Sequence, residues 1–365
     1  MSDLLIRVVQ IDEVLPHSNA ERLEIVKIGG WQIVSGKGNY KVGDLVVHVP
    51  PDAMLPKEWA DKWSVTPYLS WRSNATKGRV KAVKLRGAPS YGFLAPNESG
   101  AEIDTNVAEH YGIEKYEEPI GMQAGQMARN HPYFHKYTDI QNLRNYPKKI
   151  NYSEPLVITE KIHGTNSRIG WVRTPDPENG GMSDYFEKVI GTHRTQRKVE
   201  DPGVYGLPFE KYSEQLNKLF DHFVDSIDHK GFGGTDTFNS FIVFGEIYGT
   251  GVQDLTYGVE KSWRIFDIAI DGRYIGWEKT RALCEEHGLP IVPTLKEGLF
   301  TFEQLCEMAE GQSVLSPGQI KEGIVVRPIT EQTWNQGDLD PNPKRVIFKL
   351  ISSDYLTRKG GTENH

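Results

Sequence analysis

The stretch Val157-Ile158-Thr159-Glu160-Lys161-Ile162-His163-Gly164-Thr165-Asn166 puts a lysine where an apolar, β-branched run meets a turn. A lysine at such a strand end, partly desolvated and beside backbone N–H groups that can face a ligand, is a candidate nitrogen nucleophile. A free lysine is protonated near neutral pH, so the role requires surroundings that release its lone pair. Alone, a Lys-x-x-Gly before a turn is most often an ordinary surface residue. Four further apolar runs change that weighting, because each carries one chemically useful side chain. Glu246 lies within 241–249, Phe266 within 263–272, Glu322 opens 322–327, and Lys349 sits within 346–350. Ionised groups are seldom left on such strands without a partner or a task. Together they match what transfer of a nucleotide to an enzyme lysine needs. The amine attacks phosphorus, carboxylates hold a divalent cation and accept from ribose hydroxyls, an aromatic ring stacks on the purine, and a second lysine stabilises charge on the α-phosphate.

These residues need strands to position them. After residue 151 the apolar runs at 157–161, 168–172, 188–194, 241–249, 263–272, 322–327 and 346–350 read as strands. Helical periodicity predicts helices over 209–227, 280–287 and 301–308. The Pro-, Gly- and acid-rich segment 174–184 reads as a hairpin tip, and 229–237 as a Gly-rich loop.

The first part of the chain is different. Short β-rich runs at 6–11, 23–28, 31–35, 45–49, 79–85 and 92–94 are separated by Gly29-Gly30, Gly36-Lys37-Gly38-Asn39 and Val42-Gly43-Asp44. Closely spaced short strands without a long amphipathic helix suggest a small barrel. Lys77, Arg79, Lys81, Lys84 and Arg86 alternate with small or apolar residues, which places most of them on one strand face. Arg79, Lys81, Lys84 and Arg86 are therefore candidate nucleic-acid contacts, with a plain solvated face as the alternative. Residues 121–150 read as a connector. His131 and His135 in it are spaced for a shared helix face, but Pro132 disfavours the helix that would align them on a metal.

Composition bounds the rest. The chain has 365 residues, 38% hydrophobic and 25% charged, which fits one large or two ordinary globular domains. A net charge of −7 argues against a protein that coats nucleic acid nonspecifically, yet allows one local basic groove. Two cysteines, Cys284 and Cys306, are too few for a disulfide framework, so a reducing cytoplasm is the expected compartment. There is no apolar run of membrane-span length and no secretory signal at the start.

The ordered set Lys161-x-His163-Gly164-Thr165-Asn166, Phe244-Gly245-Glu246, Phe266-Asp267, Glu322-Gly323-x-Val325-Val326-Arg327 and Phe348-Lys349-Leu350 resembles the covalent nucleotidyltransferase superfamily of ligases and mRNA-capping enzymes. Within it, the chain is most similar to nick-sealing RNA ligases of the Deinococcus type, which carry an N-terminal OB domain. Residues 15–23 and 83–92 resemble the OB-fold of tRNA-binding domains, and 137–147 resembles the segment that precedes the catalytic domain in that branch.

The resemblance implies an α+β chain: an OB-fold barrel at 1–120, a connector at 121–150, and an adenylyltransferase domain at 151–365 with antiparallel sheets and flanking helices. It implies an ATP-dependent RNA ligase that uses Mg²⁺ or Mn²⁺ and joins 3′-OH and 5′-phosphate ends at nicks in duplex RNA or an RNA/DNA hybrid, as a monomer. Lys161 would carry AMP. Glu160 and Ile162 would flank the adenine through backbone groups, while Gly164, Asn166 and Arg194 would line the ribose and phosphates. Glu246 would bind the ribose, Phe266 stack on the adenine, Glu322 help hold the metal, and Lys349 stabilise the α-phosphate. DNA ligases and capping enzymes usually have Asp where His163 stands and Arg where Asn166 stands, which disfavours those classes. Only 352–365 follow the last motif, leaving no room for the C-terminal barrel of those classes. Many relatives have a second lysine where Ile351 stands; that role is then unfilled or supplied by Arg345. The alternatives are a ligase working mainly on DNA nicks and an RNA-binding protein with an inactive ligase domain. Because everything needed to activate ATP lies after about residue 151, the barrel is expected to be dispensable for that step.

Overall fold

A computed structural model describes residues 3–117, 125–175, 182–227, 238–335, 343–358 and 361–362. The expected loop at 229–237 and the centre of the hairpin tip, 176–181, lie outside the described residues. The chain is α+β, with far more strand than helix. Its first part builds three small antiparallel sheets and a hairpin. The strands run Arg7–Gln10 with Leu45–Val49 and Phe93–Pro96, Glu13–Pro16 with Leu23–Ile28 and Trp31–Gly36, and Ala53–Pro56 with Lys77–Arg79 and Glu114–Lys115. The hairpin pairs Ala82–Leu85 with Ala88–Tyr91. The expected single strand over 79–85 is broken: Val80 is buried and bonds back to Ala53 and Asp52, so the chain bends between Arg79 and Ala82.

Two larger sheets follow. In one, Leu156–Lys161 lies between Thr294–Gly298 and Gly323–Pro328, with Phe348–Ile351 beyond. Gln141–Asn142 adds parallel to Phe348–Ile351, so the end of the expected connector is an edge strand of this sheet. In the other, Thr165–Pro175, Met182–Thr192, Ser240–Tyr248 and Ser262–Ile270 form the long antiparallel centre. Helix Leu207–Ile227 covers its outer face: Leu216, Leu219 and Phe223, spaced along one helical stripe, pack among Ile169, Trp171, Phe241 and Val243. The other two helices expected from periodicity are Trp277–Glu286 and Phe302–Ala309, the second opened by a Thr301/Gln304 capping box. Among the described residues no helix is long and apolar enough to cross a membrane.

The inner faces of the two large sheets meet. Strand alternation sends Leu156, Ile158, Ile324, Val326, Phe348 and Leu350 into one apolar cluster, which leaves Lys161, Arg327 and Lys349 on the opposite face. That face looks toward Asn166, Glu246 and Asp267 of the second sheet, and the Arg327–Asp267 ion pair joins the two.

Candidate active site

Lys161 ends its strand in register with Gly323, and its Nζ lies 2.6 Å from Oε1 of Glu322. Glu322 is fully buried, and its other oxygen is 3.9 Å from Nδ1 of His163. The charge the lysine meets is thus a carboxylate. Across the cleft, Glu246 stands opposite Asn166 in the strand register and accepts from the backbone N–H of Gly164. Burial pushes the Glu246 carboxyl up to about 8, with Lys161 pulling it down and Glu322 pushing it further up. Gly164 is required here, because a Cβ would lie 2.1 Å from the Ile247 carbonyl oxygen and 3.0 Å from Cγ of Glu246. Oδ1 of Asn166 is buried with no hydrogen-bond partner among the described residues, an acceptor that a bound hydroxyl would satisfy.

Phe266 is set by a β-bulge. Phe244 pairs with Asp267 and Gly245 with Ile265, so Phe266 is the extra residue and its half-buried ring is turned out of the regular pleat. Tyr137 meets that ring edge-on at 4.8 Å between centroids. Beneath it Asp267, fully buried, accepts from Arg327, Arg345 and the Tyr137 hydroxyl, while Arg327 also donates to the Phe266 carbonyl at 3.0 Å. Burial alone would raise the Asp267 carboxyl, but Arg327 and Arg345 hold it below the usual carboxylate range. Arg345 also pairs with Glu331. The guanidinium considered for the missing second lysine is therefore engaged by two carboxylates.

His163 is a fully buried hub. Its Nε2 is 2.7 Å from Asp254, its Nδ1 is 2.8 Å from the Tyr355 hydroxyl, and its backbone N–H donates to Tyr257. Arg358 pairs with Asp254 and lies 4.2 Å above the Tyr355 ring. Asp254, Tyr257, Tyr355 and Arg358 are absent from the sequence reading. They lie in loops or in the last short helix, where no periodicity singles them out.

Other expected residues take different positions. The Glu160 carboxylate accepts from Ser313 and the Val314 N–H, and its own N–H donates to the Pro293 carbonyl at 2.9 Å, so that N–H does not face a ligand. The Ile162 side chain packs with Val157, Tyr248, Tyr257, Trp277 and Val292. Arg194 stands on an exposed turn, 3.9 Å from Glu117. Lys349 is buried, in register with Val325 and Asn142.

The basic face expected on the barrel is not one face. Arg79 is buried, donating through Nε and Nη2 to Asp52 at 2.8 and 2.6 Å and through Nη2 to the Gly361 carbonyl. Thr362 donates to the other Asp52 oxygen. Arg79 is thus removed from the nucleic-acid candidates, because the bend after it turns its side chain into a contact with the end of the chain. Lys84 pairs with Asp354, while Lys81 and Arg86 are exposed, the latter in a left-handed turn at φ 50°.

Comparison with known families agrees with this architecture. An RNA ligase family model matches residues 154–351, more than half of the chain. The chain belongs to the RNA ligase family. In this ligase an OB-fold domain model also matches residues 5–97, the part that folds as small sheets. No curated protein matches the chain. Among solved structures, an RNA ligase of Naegleria gruberi is similar along its length. A mutant with ATP and Mn is 20% identical with a TM-score of 0.75, covering 98% of this chain and 100% of that one. Another mutant of it with AMP and Mn is also 20% identical at 0.75, covering 99% and 100%. Its form with PPi is 21% identical at 0.72, covering 97% and 98%.

Proposed function

We propose that this RNA ligase uses ATP to join 3′-OH and 5′-phosphate ends at nicks in duplex RNA or an RNA/DNA hybrid, as a monomer in a reducing cytoplasm. The observation that carries the reading is Lys161 Nζ at a strand end, 2.6 Å from a fully buried Glu322, with Glu246 across the cleft. The Naegleria ligase with ATP and Mn supports the choice of nucleotide and metal. The donor set fits a hard divalent cation, because Glu322 is a fully buried carboxylate at the cleft and Glu246, raised to about 8 mainly by burial with Glu322 adding to it, stands across from it. Such a cation, held by Glu322, would supply positive charge against the polyphosphate.

The chain's own residues then divide the reaction. Lys161 Nζ attacks the α-phosphorus; an N–P bond forms, the bond to the β-phosphate oxygen breaks, pyrophosphate leaves, and the nitrogen loses its proton. Phe266 stacks on the adenine, Glu246 and Asn166 Oδ1 accept from ribose hydroxyls, and Lys349 offsets charge on the α-phosphate. Gly164 keeps the floor of the cleft clear, Arg194 reaches the phosphates from its turn, and Glu160 and Ile162 anchor the strand end. AMP then passes to the polynucleotide 5′-phosphate, and the 3′-OH attacks that phosphorus with AMP as the leaving group. Residues 1–120 hold the duplex through Lys81, Lys84 and Arg86, 121–150 connect, and 151–365 carry the chemistry.

The test is transfer of label from ATP in the presence of Mg²⁺ or Mn²⁺. Wild type is expected to acquire covalent label and Lys161→Ala none; equal labelling overturns the assignment. Sealing of nicked duplexes with RNA or DNA on the 3′-OH strand then decides the substrate, and faster sealing of all-DNA nicks overturns the RNA reading.

A further inference from the structure

Far from the cleft chemistry, helix Leu207–Ile227 and the end of helix Trp277–Glu286 bring three metal-ligand side chains together. His222, Glu286 and His287 each offer one donor atom, all within 4.8 Å of one another, and they are the one such group of three among the described residues. Nδ1 of His222 is 3.8 Å from Oε1 of Glu286, and the two imidazole rings stand 5.5 Å apart at 86°. The rings therefore meet edge to face and do not stack. Nε2 of His287 is buried with no hydrogen-bond partner among the described residues, which is costly for an imidazole nitrogen and unexplained by packing.

We propose that His222, Glu286 and His287 form a site for a borderline divalent metal ion of the Zn²⁺ class, clasping the two helices on the back of the catalytic sheet. Two imidazoles and a carboxylate are the ligand set for Zn²⁺, Co²⁺ or Ni²⁺, and they disfavour Mg²⁺, which prefers oxygen. Metal–ligand distances near 2.1 Å require the donors to close in from their present spread. The site can do this at its surface: His222 and Glu286 side chains are 39% and 58% exposed and can change rotamer. His287 is the fixed point. Its backbone N–H caps the helix on the Leu283 carbonyl, and Gly288, at φ 64°, turns the chain away after it. Phe223, beside His222, and Leu283, one turn before His287, are buried in the shared core, so the helices already hold the donors near one another. With three protein ligands, water completes the coordination.

The experiment uses the untagged, metal-stripped, full-length protein without ATP. Titration with Zn²⁺ by calorimetry is expected to show one equivalent bound, and Co²⁺ to give the intense visible absorption of a four-coordinate ion. A hundredfold excess of Zn²⁺ over its Kd should raise Tm by about 3–4 °C. His222→Ala and Glu286→Gln should each weaken binding by about tenfold or more, and His222→Ala/His287→Gln should abolish it, while lysine labelling by ATP is retained. Lys161→Ala should bind Zn²⁺ like wild type, so failure of the ligase reading leaves this result intact. No Zn²⁺ binding by the folded wild type overturns the proposal. So does binding that survives in the folded double variant, which would place the ion on ligands elsewhere.

Discussion

Replacing Asp267 with Asn tests whether the ion cluster under Phe266 both stabilises the ligase and positions the ring. The substitution keeps the shape and removes one charge from a site where Asp267 is fully buried between Arg327 at 3.0 Å and Arg345 at 2.6 Å. Removing one partner of such a buried pair costs about 3–5 kcal/mol, because the remaining cation is left uncompensated. Glu331 still faces Arg345, which points to the lower end, about 3 kcal/mol. The sign with pH follows from the depressed Asp267 pKa. Its contribution is present above the unfolded carboxylate value near pH 4 and is lost only as pH falls through the lower folded value. The deficit of Asp267→Asn should therefore be equal at pH 6 and pH 8, and should shrink in strong acid. The functional consequence runs through Phe266, whose carbonyl accepts from Arg327 and whose ring meets Tyr137. Base–aromatic stacking is worth roughly 1–3 kcal/mol, so a loosened bulge should raise the ATP concentration for half-maximal labelling by about 5- to 100-fold. Urea unfolding at the two pH values and ATP-dependent labelling measure both effects. A folded Asp267→Asn protein within about 1 kcal/mol of wild type and with wild-type ATP dependence would refute the reasoning.

Glu246→Gln should remove a pH-dependent loss of stability. The folded pKa, about 8, lies above the ordinary glutamate value of 4.5, so the group's contribution is full below about pH 4.5 and lost as pH rises through 8. Wild type should lose roughly 2–4 kcal/mol over that window relative to Glu246→Gln, measured by urea unfolding without ATP, while the variant uses ATP less well. Gly164→Ala should lower lysine labelling by about tenfold or more, because its Cβ must displace the Ile247 carbonyl from 2.1 Å; wild-type labelling would show that the loop yields freely. Arg79→Ala should cost about 3 kcal/mol in urea unfolding by stranding Asp52. Lys81→Ala/Arg86→Ala should leave stability alone and flatten the salt dependence of duplex binding, measured by titration at several salt concentrations.

The sequence made the candidate site legible because each strand that lines it is a mostly apolar run broken by a few charged or aromatic residues. Lys161, Glu246 and Glu322 stand out this way as candidates, and strand register alone then puts Glu246 opposite Asn166 and Lys161 opposite Gly323. Partners far along the chain were not legible. His163 meets Asp254 and Tyr355, 91 and 192 residues away, and nothing local in a loop Asp or a helical Tyr announces a buried histidine. The alternating cations of the barrel misled for a physical reason. Alternation assigns a face only while the strand continues, and here it stops at Arg79, whose charge is then matched by Asp52.

Packing between the barrel and the end of the chain bears on the expectation that the barrel is dispensable for activating ATP. Ile351, Tyr355 and Leu356 share one apolar cluster with Ile11, Val26, Trp31 and Tyr91 of the barrel. Arg144 donates to the Gly30 carbonyl, and the Trp31 indole N–H to Asn145. Deleting the barrel would expose that apolar surface and free Tyr355, which is the residue that bonds His163 two positions from Lys161. Truncation would thus perturb the loop at His163 as well as the proposed duplex contact, and loss of lysine labelling in the truncated chain would say nothing about where nucleic acid binds. Surface substitutions at Lys81 and Arg86 separate the two effects, since neither side chain reaches the shared core.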